Sequence, residues 1–202
     1  MTKHGIIGAV LAGGRGRRIG RDKAMVELDG RPLISYPVGA LRSAGLDVVL
    51  ALRGGQEAPA GLEDVSVVRD EFEDAGPLGG LHALLKWMPG EWVLVVSCDQ
   101  PFVRVNLLHG IISHSECAAD AVVARTPERL QPMPGLYRKS CLPVVDGALR
   151  RGEHGMRDVL NGLPRYELAG EDLDCLDLEH SSFVNVNTPK DLLRARRLAS
   201  SL

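Results

Sequence analysis

The sequence predicts an α/β fold of three layers, with a largely parallel central sheet between two layers of helices. Apolar runs of strand length alternate along the chain with segments that repeat apolar residues at helical spacing. This alternation is typical of parallel strands joined by helical crossovers. The strongest runs end in a glycine-rich loop or in a carboxylate, as expected where an open parallel sheet meets a ligand.

The first elements can be assigned from apolar spacing and turn residues. The run at 6–11 has the length and β-branched content of a buried strand. A short extended segment at 24–28 follows, and Asp29-Gly30 predicts a turn. An amphipathic helix comes next and ends at Gly45, because glycine is the preferred residue just after a helix.

The middle of the chain continues the alternation. Strands are predicted at 47–52 and 65–69, and Pro77 suits the first turn of the helix that follows. The run at 92–97 is the most apolar strand of the chain, and a helix over about 105–115 comes after it.

The last third contains one ambiguous segment. Residues 130–137 are extended but include prolines, which predicts an edge strand or an irregular one. Thr188 and Pro189 are a good start for a final helix. The other elements expected here are strands at 121–124, 165–168 and 182–187, and helices at 142–149, 155–160 and 189–199.

Length and composition indicate one ordinary domain over residues 1–202, with 45% hydrophobic and 25% charged residues. The formal net charge is −2, so the cationic loop described below is a local patch, which argues against nucleic acid as a partner. No apolar run approaches the ~18 residues of a membrane span. The four cysteines fit no zinc spacing, and no signal peptide is evident. We expect a cytoplasmic monomer that binds neither nucleic acid nor membrane.

A glycine-rich, cationic loop follows the first strand. Glycines let the backbone approach a ligand, and successive N–H groups form an anion nest. The glycine spacing G-x-G-x-x-x-G excludes the dinucleotide fingerprint, and Lys23 lacks the Ser or Thr that would follow it in a P-loop. We therefore expect a phosphate-binding loop of a third kind rather than a surface turn with solvated arginines. Its glycines and cations are Gly13, Gly14, Gly16, Gly20, Arg15, Arg17, Arg18, Arg21 and Lys23.

Polar residues follow several predicted strands. Because ligands bind beyond the carboxyl ends of parallel strands, Asp70, Asp99 and Asn187 are expected in one crevice with this loop. Asp99 follows the most apolar strand, where it is either a cap or a metal ligand. Mg²⁺ commonly uses one or two protein carboxylates together with substrate phosphates, so the neighbouring loop favours the metal.

These motifs resemble those of nucleotidyltransferases with a GT-A-like fold, and among them the molybdenum cofactor guanylyltransferase family. The segment Leu11-Ala-Gly-Gly-Arg-Gly-Arg-Arg-Ile-Gly-Arg-Asp-Lys23 is similar to the family pattern L-A-G-G-(x)-R-(M/I)-G-x-D-K. Four later segments resemble family segments in the same order. They are Gly76-Pro-Leu-Gly-Gly80, Cys98-Asp-Gln-Pro-Phe102, Gln131-Pro-Met-Pro-Gly-Leu-Tyr137 and Phe183-Val-Asn-Val-Asn-Thr-Pro-Lys-Asp-Leu192.

The resemblance implies a Rossmann-like nucleotidyltransferase fold and transfer of GMP from Mg-GTP to the phosphate of molybdopterin cofactor, with Mg²⁺ as cofactor. It also implies transient contact with other cofactor-assembly proteins. The catalytic residues it implies are Arg15, Lys23 and Asp99, with Asp99 as metal ligand. The implied nucleotide-binding residues are Leu11, Ala12, Gly13, Gly14, Lys23, Asp70, Gly76, Pro77, Leu78 and Asp99, and the implied acceptor-binding residues are Arg18, Asn185 and Asn187.

Base preference rests on two positions. Gly13-Gly14 favours guanine, because relatives that transfer cytidylate tend to carry L-A-A-G there. Ala51 stands where better-known members carry asparagine, so the base or ribose is contacted differently, with Arg53 as a candidate. The alternatives are a cytidylyl- or sugar-nucleotide transferase and a non-catalytic nucleotide-binding protein. A second cationic group, Arg150, Arg151, His154 and Arg157, is either a solvated helix face or a partial site for the acceptor phosphate.

Overall fold

A computed structural model describes residues 5–13, 23–72 and 74–200 of the chain; of Lys23 it describes only the backbone. The strands are β1 Ile6–Leu11, β2 Glu27–Leu28, β3 Arg31–Pro32, β4 Val48–Leu52, β5 Ser66–Arg69, β6 Trp92–Ser97, β7 Ala121–Arg125, β8 Leu130–Arg138 and β9 Arg165–Ala169. The helices are α1 Ser35–Ser43, α2 Gly76–Trp87, α3 Val105–Ser113, α4 Leu142–Arg150, α5 Met156–Asn161, α6 Gly170–Asp174 and α7 Pro189–Ala199. Short 3-10 turns lie at Lys23–Met25, Lys139–Cys141 and Ser181–Phe183.

The central sheet has seven strands in the order β5-β4-β1-β6-β8-β7-β9. β8 is antiparallel to both of its neighbours, and every other pairing is parallel, which confirms the largely parallel sheet. β2 and β3 form a separate small hairpin around the predicted turn, where Asp29 and Gly30 both have positive φ. Because β1 and β6 lie in the middle of the sheet, their side chains are buried on both faces, which explains their continuous apolar runs.

Helices cover both faces of the sheet, so the predicted three-layer architecture is confirmed. On one face α2, α4 and α5 pack against alternate residues of the strands. On the other face α1, α3 and α6 do the same with the intervening residues. α7 packs separately, against the β2–β3 hairpin. Within the described chain, no helix combines the length and the apolar character that crossing a bilayer requires.

The proline-containing strand β8 is irregular, as predicted, but the prediction of a sheet edge is wrong. It lies between β6 and β7. Residues 135–138 pair with β6, and residues 130–131 and 135–137 pair with β7. The intervening residues 132–134 belong to neither ladder and form a bulge. Proline has no N–H to donate, so the two prolines are tolerated inside the sheet because the bulge takes them out of the pairing.

Two other extended segments were predicted wrongly. Residues 182–187 are not a strand, because Ser181–Phe183 winds into a 3-10 turn. The buried Asp177 carboxylate accepts the N–H groups of Ser181 and Ser182, at 3.1 and 2.8 Å, which favours a turn over a ladder. Near the N-terminus, the extended segment predicted at 24–28 begins as a 3-10 turn, and only Glu27–Leu28 is strand. α6 has no counterpart among the predicted elements.

Candidate active site

A cleft of about 500 Å³ opens at the carboxyl ends of β1, β4, β5 and β6. This edge is where an open parallel sheet binds ligands. Of the residues predicted to form the site, Leu11, Gly13, Asp70, Gly76, Pro77, Asp99, Asn185 and Asn187 line the cleft.

The other predicted site residues are not among the described residues that line the cleft. Ala12 and Leu78 are buried in the two main cores and are not among the residues that line the cleft. Gly14, Arg15 and Arg18 lie outside the described residues, and so does the side chain of Lys23.

The turn after β1 is tied to the turn after β4. The Ala12 N–H donates to the Ala51 carbonyl at 2.9 Å, and the Gln56 amide donates to the Ala12 carbonyl at 3.1 Å. A Cβ atom added to Gly13 would lie 3.1 Å from the backbone nitrogen of Arg53. Glycine is therefore favoured at position 13 because the two turns approach each other so closely.

Asp70 follows β5 and rests against the start of α2. Its backbone N–H donates to the Leu52 carbonyl at 2.9 Å, which extends the pairing of β5 with β4. Its carboxylate accepts the Phe72 N–H at 2.8 Å and packs on Gly79. Burial raises the pKa of Asp70 above its ordinary value, and the Phe72 hydrogen bond and the nearby His82 oppose part of that rise.

Asp99 follows β6 and is 6% exposed. Its backbone carbonyl accepts the Val186 N–H at 2.9 Å, which holds the segment before α7 beside the cleft. Gln100 braces the same turn, because its side chain accepts the Ser97 N–H at 3.0 Å and donates to the Met133 carbonyl at 2.9 Å.

The residues around Asp99 suit a hard cation. Its carboxylate and the amide oxygens of Asn185 and Asn187 line one cleft, and oxygen ligands are those that Mg²⁺ and Ca²⁺ prefer. Within the described residues, no three His, Cys, Asp or Glu side chains form a complete metal site. A cation here would complete its coordination with substrate phosphates and water.

A second pocket, of about 420 Å³, adjoins the cleft on the side of β8. Pro77, Met133 and Asn185 line both spaces. Met133 belongs to the β8 bulge, which directs it toward the site; it lies in the segment 131–137 that resembles a family segment, although Met133 itself was not among the predicted site residues. The prolines on either side of Met133 were the available signal, because they marked a break in the strand.

The predicted second cationic group divides into two pairs. Arg150 and Arg151 form surface ion pairs with Asp146 and Glu153. His154 and Arg157 line the second pocket, and the Arg157 guanidinium also donates to the Leu130 carbonyl at 3.0 Å. The interpretation as a solvated helix face holds for the first pair, while Arg157 of the second pair adds positive charge to the pocket. Arg129 and Gln131 also line this pocket.

A largely parallel sheet with helices on both faces and a cleft at the carboxyl ends of its strands places this chain in the class of open α/β proteins that bind ligands such as nucleotides at that edge. Comparison with known proteins is more specific. The MobA-like NTP transferase domain matches residues 8–169. A probable molybdenum cofactor guanylyltransferase of Pelotomaculum thermopropionicum is 34% identical over 96% of this chain and 93% of its own length. A molybdenum cofactor guanylyltransferase of Vibrio atlanticus is 36% identical over 91% of each chain.

A solved structure agrees with these sequence matches. The molybdopterin-guanine dinucleotide biosynthesis protein A of Archaeoglobus fulgidus superposes with a TM-score of 0.84 and 29% identity, over 96% of this chain and 99% of the other. This chain therefore belongs to the MobA-like NTP transferase family, and it is a nucleotidyltransferase. Nucleotidyltransferases of this family generally use a divalent metal ion.

Proposed function

We propose that this chain, acting as a single nucleotidyltransferase domain, transfers GMP from Mg-GTP to the phosphate of molybdopterin cofactor. The products are the guanine dinucleotide cofactor and pyrophosphate. The names of the relatives support this choice of substrates. The structural observation that best supports this function is the order in which site residues follow one another along the carboxyl ends of the strands.

That order matches the parts of the two substrates. The β4–β5 side of the cleft offers an apolar slot, lined by Leu11, Ala51 and Gly80 beside Asp70, which suits a base. The middle lies beside Gly13, which in the sequence begins the glycine-rich segment, and such a segment suits phosphates. Asp99 follows on β6, and the second pocket opens beyond it. An acceptor in that second pocket would bring its phosphate toward the α-phosphorus of the nucleotide.

The reaction requires alignment and charge neutralisation more than proton transfer. The acceptor phosphate is already an anionic nucleophile, so the site needs no strong general base. Asp99 would hold Mg²⁺, which supplies positive charge at the phosphates when bound. Asn185 and Asn187 would orient the acceptor phosphate or metal-bound water, and this role is supported by their lining the cleft, with Asn185 also lining the second pocket.

The cationic loop would complete the site. In this proposal Arg15 and Lys23 stabilise the charge on the α-phosphate and the leaving pyrophosphate, and Arg18 binds the acceptor. Leu11, Ala12, Gly13 and Gly14 would lie against the nucleotide, as would Gly76 and Pro77, which line the cleft at the start of α2, with Leu78 supporting them from the core.

The test is pyrophosphate release with Mg²⁺ and purified molybdopterin cofactor, comparing GTP, CTP, ATP and UTP. Release with GTP alone is expected. Release with CTP instead would establish the cytidylyl alternative. No release with any nucleotide, using acceptor that a control enzyme consumes, would favour the non-catalytic nucleotide-binding protein.

The metal assignment has its own variant. Asp99→Asn removes the charge but keeps the shape, and it should lower the rate about 10²–10³-fold, as for other preorganised charges. Asp64→Asn is the matched control, because Asp64 forms an exposed ion pair with Arg42 away from the cleft. Both variants should unfold like the parent protein. A near-normal rate for Asp99→Asn would refute the metal role of Asp99.

A further inference from the structure

The base side of the cleft is an apolar slot with little to distinguish one base from another. A Cβ atom added to Gly80 would lie 3.0 Å from Leu11 Cδ2 and 3.6 Å from Ala51 Cβ. This close approach shows that Leu11, Ala51 and Gly80 pack against one another, and because all three line the cleft they form an apolar wall of this slot that suits the face of a planar ring. None of the three carries a side-chain donor or acceptor, so the slot itself cannot read the edge of a base.

Two charged residues leave the sheet at the same level beside this slot. Leu52 of β4 pairs with Arg69 of β5, and the next residues along the two strands are Arg53 and Asp70. Both line the cleft. The slot therefore has a guanidinium on one strand and a carboxylate on the neighbouring strand.

The backbone of Arg53 is fixed from several sides. Its N–H faces the Gln56 side-chain oxygen at 3.4 Å, and its carbonyl lies 3.5 Å from Arg69 Nη1. The same Arg69 nitrogen donates to the Gln56 carbonyl at 2.6 Å, so one guanidinium braces the whole turn. Among the described residues, none forms a hydrogen bond or an ion pair with the guanidinium of Arg53 itself. A half-buried cation on a braced turn is well placed to bind a ligand.

Guanine is the base that this pair of charges matches. It presents two acceptors, O6 and N7, on one edge and donors at N1 and N2 on the other. A guanidinium donates two parallel hydrogen bonds to O6 and N7, and a carboxylate accepts from the opposite edge. Adenine and cytosine carry an amino donor where guanine has O6, and that donor would face the cation.

We infer that Arg53 determines base preference by donating a bidentate pair of hydrogen bonds to O6 and N7 of guanine. The inference rests on the proposed function and adds to it the residue that selects the base. It also explains how a site with Ala51 in its slot recognises a base without a polar side chain at that position.

The experiment measures nucleotide binding by calorimetry in the presence of Mg²⁺, without acceptor. The ligands are GTP and 7-deaza-GTP, in which a C–H group replaces N7. The proteins are the parent, Arg53→Ala, Arg53→Lys and Arg42→Ala, the last being a matched control on the surface of α1. The analogue tests the parent protein directly, so the result does not depend on how well any variant folds.

Arg53→Ala should weaken GTP binding about 5- to 150-fold, the range for a bidentate contact to a base. The parent should bind 7-deaza-GTP at least about 5-fold more weakly than GTP, because one of the two hydrogen bonds is lost. Arg53→Ala should bind GTP and 7-deaza-GTP equally. Arg53→Lys should recover only part of the affinity, because an ammonium cannot form the planar pair, and Arg42→Ala should bind like the parent.

Equal binding of GTP and 7-deaza-GTP by the parent would overturn the inference, and so would an undiminished N7 effect in Arg53→Ala. Either outcome leaves the proposed function standing if GTP still supports pyrophosphate release. Failure of the parent to bind any of GTP, CTP, ATP and UTP would instead refute the proposed function.

Discussion

Two helical glycines provide a sharp test of how Asp70 is held at the cleft. Gly39 of α1 has open space where a Cβ atom would go, whereas a Cβ atom on Gly79 of α2 would lie 2.2 Å from Asp70 Oδ2. Replacing a helical glycine with alanine is worth about 0.5–1 kcal/mol when nothing obstructs the methyl group. Gly39→Ala should therefore stabilise the protein by about that amount.

Gly79→Ala should not stabilise the protein in the same way, because its methyl group would collide with the Asp70 carboxylate. To regain an ordinary contact of 3.4 Å, the carboxylate of Asp70 must retreat by about 1.2 Å from its position at 2.2 Å. That movement breaks the hydrogen bond from the Phe72 N–H, which is 2.8 Å long. A hydrogen bond to a charged group is worth about 1.5–3 kcal/mol, so the variant should be destabilised by about 0.5–2.5 kcal/mol overall. Its affinity for GTP should also fall, because Asp70 leaves the slot.

A double-mutant cycle in urea unfolding at pH 7 measures how strongly positions 70 and 79 depend on each other. The variants are Gly79→Ala, Asp70→Ala and the double variant Asp70→Ala/Gly79→Ala, with Gly39→Ala as the reference. With the carboxylate gone, Gly79→Ala should become stabilising like Gly39→Ala. The coupling between positions 70 and 79 should therefore be about 1.5–3 kcal/mol. If Gly79→Ala alone is as stabilising as Gly39→Ala, Asp70 is not packed on α2 as described.

Two further predictions concern charge and capping. Hydrogen bonds from Arg125 and Arg165 lower the pKa of Glu167 from 4.5 to about 2. The ionised carboxylate therefore contributes its full stability to the fold above pH 4.5, and this contribution is lost as the pH falls toward 2. Glu167→Gln should lower the free energy of unfolding by at most about 1 kcal/mol at pH 7, because these ion pairs are partly exposed to solvent. If urea unfolding at pH 2.5 shows the same loss, the prediction is wrong. Thr188→Ala removes the capping box of α7 and should cost about 1 kcal/mol in the same assay, with Thr188→Ser close to the parent.

The order of elements and much of the cleft could be predicted because they depend on local signals. A residue that follows an apolar strand reaches the carboxyl edge of a parallel sheet whichever strands are its neighbours. Asp70 and Asp99 were placed correctly for this reason, although β5 and β6 are not adjacent. Gly13 was predicted as a position where a ligand approaches the backbone closely, whereas the close neighbour that the structure shows is the turn at Arg53, which could not be known from the sequence.

The shape of the second pocket could not be predicted, because it depends on where β8 enters the sheet, although His154 and Arg157 in it were candidates for binding the acceptor phosphate. Prolines in a strand indicate an edge only if the strand is regular, and here the bulge at 132–134 removes them from both ladders. The same bulge places the Met133 carbonyl where Gln100, one residue after Asp99, donates to it at 2.9 Å. One non-local contact thus links the Asp99 side of the cleft to the wall of the neighbouring pocket. Because that link joins residues 33 positions apart, it follows from the strand order and not from any local pattern.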